Sequence, residues 1–324
     1  MRISFEGVSF SYTNPEHAEK RKRRQKKRKE AGVISAPASL ADHKSADWGS
    51  DPEQVWALRD ISFTIEDNEF LGIAGHTGSG KSTLIQHMNG LIHPTCGRVL
   101  LDGEDLADKA VFQRCRGKVG LVFQYPENQL FAPSVFEDVA FGPKNLGLDD
   151  AEVSKRVAEA LDSVHLDVDA LGDKSPFELS GGQQRRVAFA GVLAMHPQVL
   201  VLDEPVAGLD PVAREEFLQL ISELHTQGIT IVLVSHNMDD LARFADRILV
   251  LNEGEVFDLN TPAEVFTCGD ALRSIGLDVP AAQKFALELR ECGYDLPRDL
   301  YITDTLAQDI VAQVQLKACD EAQS

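Results

Sequence analysis

Gly75, His76, Thr77, Gly78, Ser79, Gly80, Lys81, Ser82 and Thr83 place four kinds of anion-binding group in nine consecutive positions. Glycines allow a turn so tight that successive backbone N–H groups point inward at phosphate oxygens. A lysine in this setting neutralises β- and γ-phosphate charge, and the following hydroxyl ligates Mg²⁺. The chemistry expected is binding of a nucleotide triphosphate through its phosphates, with Mg²⁺ as the accompanying ion. A second pair of groups, Asp203 and Glu204, follows the apolar run Val199–Leu202 and precedes Pro205. An uninterrupted apolar run reads as a strand buried on both faces of a parallel sheet. Acids at its carboxyl end sit where open α/β sheets bind ligands. There Asp203 is placed to hold Mg²⁺, and Glu204 to accept a proton from an attacking water.

The flanking elements have to hold these groups in place. Phe70–Ala74 is a short apolar run that reads as a buried strand, and Thr83–Met88 reads as a helix ending at Gly90. The positive end of that helix faces the anion. Further on, Leu179, Ser180, Gly181, Gly182 and Gln183 put an N-capping serine before two bare glycines, a second helix start suited to an anion. Ile231–Val234 is another apolar strand, ending in Ser235 and His236. Val153, Val157, Ala160, Leu161 and Val164 recur at helical spacing and form a core-facing stripe.

The motifs, in this order, resemble those of the ATP-binding-cassette (ABC) ATPases over roughly residues 1–260. Leu179–Gln183 matches the family's signature loop, Phe123-Gln124 its Q-loop, Gly208-Leu209-Asp210 its D-loop, and Ser235-His236 its switch histidine. Tyr12 matches the aromatic that stacks on adenine. The resemblance implies an α/β P-loop NTPase core with an antiparallel β portion and an inserted helical subdomain at about 126–190. It implies Glu204, His236 and Gln124 as catalytic residues, with Ser82, Gln124 and Asp203 around the metal. It also implies that Ser180, Gly181, Gly182, Gln183 and Asp210 serve the nucleotide of a partner subunit, so two chains enclose two ATP molecules. Val206, where the family usually has Thr, and Ala207-Gly208, where Ser-Ala is common, depart from the pattern without touching these groups.

A narrower resemblance is to the energy-coupling-factor (ECF) ATPases. It rests on Gln124–Phe131, on Glu137–Gly147, on Ser175–Glu178, and on the Gly-His-Thr form of the phosphate loop. The last is similar to the second ATP-binding (A) subunit of such transporters. The function implied is ATP hydrolysis that energises import of vitamins or transition-metal ions. The implied partners are a sister ATPase (heterodimer, with a homodimer as the alternative), a transmembrane coupling subunit and a membrane substrate-binding subunit. No nucleic acid is expected. The place implied is the cytoplasmic face of the cell membrane, as a peripheral subunit. The alternatives are an ABC ATPase of another transporter, or a non-transport, nucleic-acid-associated one. A long coiled coil and a second phosphate loop, which mark the chromosome and translation types, are both lacking in the sequence.

No apolar stretch is long enough to span a bilayer, and the first residues read as a strand rather than a signal peptide. Five cysteines, at 96, 115, 268, 292 and 319, form no C-x-x-C pair and suit a reducing compartment. Thr261, Pro262 and Glu264 form a capping box that opens a helical extension over 261–324. Residues 14–54 read as a basic, weakly ordered insertion between Tyr12 and a strand at 58–65.

Within the insertion, residues 20–29 carry nine of the chain's 32 Lys and Arg residues. Setting those nine charges aside turns a net −19 into −28 for the remainder. The run can be a solvated loop drawn to this acidic body, a contact for anionic lipid, or a nucleic-acid contact. The lack of interleaved aromatics speaks against the last. Deleting 20–29 is expected to leave ATP affinity and maximal hydrolysis nearly unchanged, since the motif residues lie outside it. Vesicle co-sedimentation should show that only salt-sensitive binding of the isolated subunit to anionic lipid falls. A large drop in ATP affinity would place the loop over the adenine.

Overall fold

The computed structural model describes residues 1–12, 55–297 and 300–321, with side chains described as far as 313. The insertion at 14–54, its basic run and the Cys319 side chain lie outside these residues. β1 (Ile3–Tyr12) and β2 (Val55–Ile65) pair antiparallel, with Ile3 opposite Ile65. The Phe5 and Phe63 rings stack at 4.8 Å. β2 begins three residues before the strand expected at 58, because Val55 and Trp56 extend the ladder opposite Tyr12 and Ser11. β3 (Phe70–Ala74) then runs into the phosphate loop and α1 (Lys81–Met88). β4 (Cys96–Leu101) and β5 (Glu104–Asp105) complete an antiparallel sheet of order β2-β1-β4-β5.

After α2 (Lys109–Cys115), β6 (Val119–Val122) enters a second sheet. The helical portion follows: α3 (Val135–Asn145), α4 (Asp150–Ser163), α5 (Val168–Leu171) and α6 (Gly181–Leu193). Asp149 caps α4 by accepting from Glu152 N at 2.9 Å. The stripe Val153, Val157, Ala160 and Leu161 is buried against the rest of the helical layer.

β7 (Val199–Asp203), α7 (Pro211–Thr226), β8 (Thr230–Val234), α8 (Met238–Phe244), β9 (Arg247–Asn252) and β10 (Glu255–Asn260) return the chain to the second sheet. Its order is β10-β9-β3-β8-β7-β6. Strands β9, β3, β8, β7 and β6 run parallel, and only β10 is antiparallel to its neighbour.

Each central strand is apolar on both faces because each face meets a different core. Leu200 and Leu202 of β7, with Ile231 and Leu233 of β8, pack into the helical layer. Val199 and Val201, with Val232 and Val234, face α1 and the antiparallel sheet. Burying each such side chain is worth about 1.5–3 kcal/mol before entropy is counted.

Among the described residues four further helices follow: α9 (Pro262–Thr267), α10 (Gly269–Ser274), α11 (Ala281–Glu291) and α12 (Thr303–Glu321). Thr261 and Glu264 close the capping box in front of α9. α11 and α12 share a small apolar cluster of Ala282, Ala286, Leu296, Leu300 and Leu306. Ala281 N, at the start of α11, donates to Asp239 Oδ1 of α8 at 2.9 Å.

α8 can lie directly on β3 because Gly72 has no side chain. A Cβ there would stand 2.9 Å from Leu241 Cδ2 and 3.2 Å from Ala245 Cβ. Gly72→Val should therefore lower the unfolding free energy by about 1–3 kcal/mol, the usual cost of overpacking, measured by urea denaturation. Gly72→Ala should cost less.

Candidate nucleotide-hydrolysis site

The parallel strands β3, β8, β7 and β6 are neighbours, and their carboxyl ends lie at one level. Ile73 pairs with Val234, Asp203 with Val234, and Val122 with Leu202. The residues that follow these ends are the phosphate loop, His236, Glu204 and Gln124. Side chains far apart in sequence are thereby collected along one sheet edge.

The phosphate loop depends on its glycines for shape. Gly78 and Gly80 have φ of +85° and +106°, and a Cβ on Gly80 would meet Ala57 O at 2.6 Å. Lys81 lies across the loop, its Nζ donating to Gly75 O at 2.6 Å and His76 O at 3.0 Å. Burial holds the Lys81 ammonium below the ordinary lysine value, against the opposing pull of Glu204 and Asp203. His76 contacts Asn252 Oδ1 at 3.1 Å through Nε2, a contact with no signal in the sequence. The Tyr12 hydroxyl lies 3.1 Å from Thr83 Oγ1, while its ring is half exposed and meets Phe10 edge-on at 5.0 Å.

Ser82 Oγ donates to Asp203 Oδ2 at 3.4 Å. Burial pushes the Asp203 carboxyl above the usual carboxylate range, and the charge of Glu204 adds to it. Glu204 sits between two neighbours: Gln124 Nε2 donates to its Oε2 at 3.2 Å, and His236 Nδ1 lies 3.3 Å from its Oε1. Gln124, expected beside the metal, reaches Glu204 here. Strand alternation would send Glu204 into the helical-layer core, on the side of Leu200 and Leu202. The backbone prevents this, because Glu204 has φ +47°, a left-handed conformation uncommon for a residue with a Cβ.

Two expected groups make contacts of another kind. Ser180 and Gln183 close a capping box on each other, with Gln183 Oε1 accepting from Ser180 N at 3.1 Å. Gly181 and Gly182 at the start of α6 are exposed, with open space where a Cβ would be. Asp210 caps α7, accepting from Val212 N and Ala213 N at 3.0 and 3.1 Å. The start of α6 is thus exposed, and the Ser180, Gln183 and Asp210 side chains bond within their own helix starts.

The donor set suits Mg²⁺-ATP. Among the described residues no group of three or more His, Cys, Asp and Glu side chains forms a metal cage. Ser82 and Asp203 offer two oxygens beside a phosphate-shaped loop. Mg²⁺ is held in this way, by one or two protein oxygens with the substrate's phosphates and water supplying the rest.

This fold and this edge of groups define a P-loop ATPase of the ABC class. The ABC transporter family model matches residues 58–207. The energy-coupling factor transporter ATP-binding protein EcfA2 of Symbiobacterium thermophilum is 59% identical over 249 residues, covering 76% of this chain and 86% of that protein. Its counterpart in Caldanaerobacter subterraneus is 52% identical over 262 residues, covering 80% and 91%. Among solved structures, cbiO1 of Clostridium perfringens, part of the ABC transporter complex cbiONQ, aligns with a TM-score of 0.65 at 33% identity. That alignment covers 89% of this chain and 98% of cbiO1. A dimeric bacterial ABC transporter cassette aligns with a TM-score of 0.61 at 28% identity, covering 80% and 98%. The chain belongs to the ABC transporter ATP-binding family, in its energy-coupling-factor branch, and is an ATPase.

The raised Asp203 pKa has a consequence for stability. Above that pKa the folded protein holds a carboxylate where burial disfavours it, while the unfolded chain carries the same charge freely. Asp203→Asn should therefore raise the melting temperature of the nucleotide-free protein near neutral pH. The gain should shrink as the pH falls through the native pKa of Asp203, where both side chains are neutral. Differential scanning fluorimetry across pH checks the sign.

Proposed function

We infer that Glu204 is the general base with which this ATPase energises an energy-coupling-factor importer. The observation that supports this is the pair of contacts on Glu204, to Gln124 and His236, at the end of the strand that also carries Asp203. A carboxylate that accepts from Gln124 at one oxygen and has His236 beside the other is restricted in direction, and a directed base is what proton abstraction from water requires. Lys81 and the backbone of 75–83 bind the phosphates. Ser82 and Asp203 hold Mg²⁺, which neutralises developing phosphate charge when bound. His236, beside Glu204 Oε1, would hold the γ-phosphate, and Tyr12 would stack on the adenine.

Ser180, Gly181, Gly182, Gln183 and Asp210 complete the site of a sister ATPase, and that subunit's equivalents complete this one. The outward-facing start of α6 supports this, because a helix N-terminus with bare glycines is suited to an anion from another chain. Closure of the pair on ATP, and its release after hydrolysis, then drive the membrane subunits.

The transmembrane coupling subunit docks beside the turn that follows Gln124. There Phe131 and Phe141 meet edge-on at 4.9 Å, and they are 60% and 51% exposed. Asp138 accepts from Phe131 N and Ala132 N and fixes the loop, and Gln129, Asn145 and Met195 line the rest of the groove. Among the described residues no helix is long and apolar enough to cross a membrane. The chain is held at the cytoplasmic face by such docking. The imported vitamin or transition-metal ion is chosen by a separate membrane subunit.

Glu204→Gln should keep ATP binding and trap a closed dimer, while hydrolysis falls by roughly 10²–10⁴-fold. Single-turnover phosphate release from the assembled complex measures the loss, and wild-type rates would overturn the assignment. Lys81→Ala should instead lose ATP binding itself.

A further inference from the structure

A charged residue on the inward stripe of a helix is a conflict that the fold must resolve. In α6, Arg185, Phe189 and Leu193 are spaced by four and all are buried, with Arg185 only 4% exposed. Its neighbour Arg186 instead reaches the partly exposed Glu216, Nη2 to Oε2 at 2.7 Å. Arginine stays buried only when its charge and its N–H groups are matched.

Arg185 finds four acceptors on two separate turns. Nε and Nη2 donate to Glu127 Oε2 and Oε1 at 3.0 and 2.8 Å, a two-pronged pairing. Nη1 donates to Ala207 O at 2.9 Å and Pro205 O at 3.3 Å. The Glu127 turn (Pro126–Gln129) begins two residues after Gln124. The carbonyls of 205 and 207 belong to the turn directly after Glu204, in which Ala207 N donates back to Glu204 O at 3.1 Å.

The Tyr125 side chain fits between these turns. Its residue is left-handed (φ +57°), its ring centroid lies 5.9 Å from the guanidinium carbon, and Cε1 stands 3.4 Å from where a Gly208 Cβ would be. The ends of β6 and β7 are thus joined twice, by Gln124 to Glu204 inside the site and by Arg185 beneath it.

We propose that Arg185 is a positioning residue that locks the Gln124–Gln129 turn to the turn after Glu204, so that the docking segment and the hydrolytic carboxylate move as one unit. The proposal rests on Glu204 being the base. It explains why a guanidinium is needed: the fork meets a carboxylate and two carbonyls together. A lysine has one charged centre and cannot hold that geometry on both turns. Arg185 touches neither the phosphate loop nor Tyr12 among its hydrogen-bonding and ring partners, so its effect falls on turnover rather than on ATP binding.

The test uses the assembled transporter complex with Arg185→Lys, Glu127→Gln, the double variant and Arg186→Lys as a control for a half-buried arginine of the same helix that bonds Val164 O and Glu216 instead of the two turns. Displacing a reacting group by an ångström or less is enough to reduce turnover by about 10- to 100-fold, which is the fall expected for Arg185→Lys at saturating ATP. Binding affinity for ATP, measured without hydrolysis, should stay within about threefold, which assigns the loss to the transition state. Glu127→Gln should lower turnover in the same direction, and the double variant should be no worse than Arg185→Lys alone because the two share one interaction. Arg186→Lys should behave as wild type.

Near-UV circular dichroism measures the folded fraction of each variant. The proposal is overturned if Arg185→Lys and Glu127→Gln keep turnover within twofold of wild type. It is also overturned if turnover and ATP binding fall together in proportion to folded protein. If Glu204→Gln in the same complex hydrolyses normally, it is the assignment of the base that fails. An inactive Glu204→Gln beside a fully active Arg185→Lys rejects the positioning role alone.

Discussion

Parallel pairing of β3, β8, β7 and β6 is the constraint on which the rest depends. Parallel strands end on the same side of their sheet, so the segments leaving them converge at one edge. This brings Gln124 and His236 against Glu204, and Ser82 against Asp203, although these residues are spread over more than 150 positions. The pairing survives only if both faces of the strands are covered. The helical layer covers one face, and α1 with the antiparallel sheet covers the other. The two cores are therefore as much part of the site as the side chains that line it.

The same arrangement concentrates charge. Asp203 and Glu204 are sequence neighbours, Asp203 is half-buried, and the charge of both favours the Lys81 ammonium while burial disfavours it. On the proposed site assignment, phosphate would supply anionic oxygens for the lysine and a divalent cation would supply positive charge for the acids, so substrate binding would relieve both. Function and local instability have one origin here, as is usual where groups are held for chemistry rather than for packing.

Much of this could be read from residue order. Val199–Leu202 and Ile231–Val234 announced buried strands by their unbroken apolar character. The glycines and lysine of 75–83 announced a phosphate site, and Ser180 announced the start of α6. The contacts that make these groups act together were less legible. Nothing near Gln124 in sequence points to Glu204, since their distance depends on β6 lying beside β7. Val55 and Trp56 joined β2 only because β1 was there to pair with them. Arg185 did carry a signal, a charge on the 185–189–193 stripe, but its meaning required the positions of Glu127 and the 205–207 carbonyls. Residue types show what chemistry is possible, whereas register and backbone conformation decide which partners meet.

The left-handed backbone of Glu204 sets the local chain geometry against the side-chain chemistry. Glycine and asparagine accept φ near +50° with little penalty, while a longer side chain gives up about 1–2 kcal/mol. Random change at this position therefore drifts downhill toward residues that relax the turn and abolish the carboxylate. With Glu204 as the proposed base, a population of such chains would contain variants that fold more firmly and no longer hydrolyse ATP. Selection for thermal robustness alone, as in a directed-evolution screen without an activity gate, would be expected to find position 204 early.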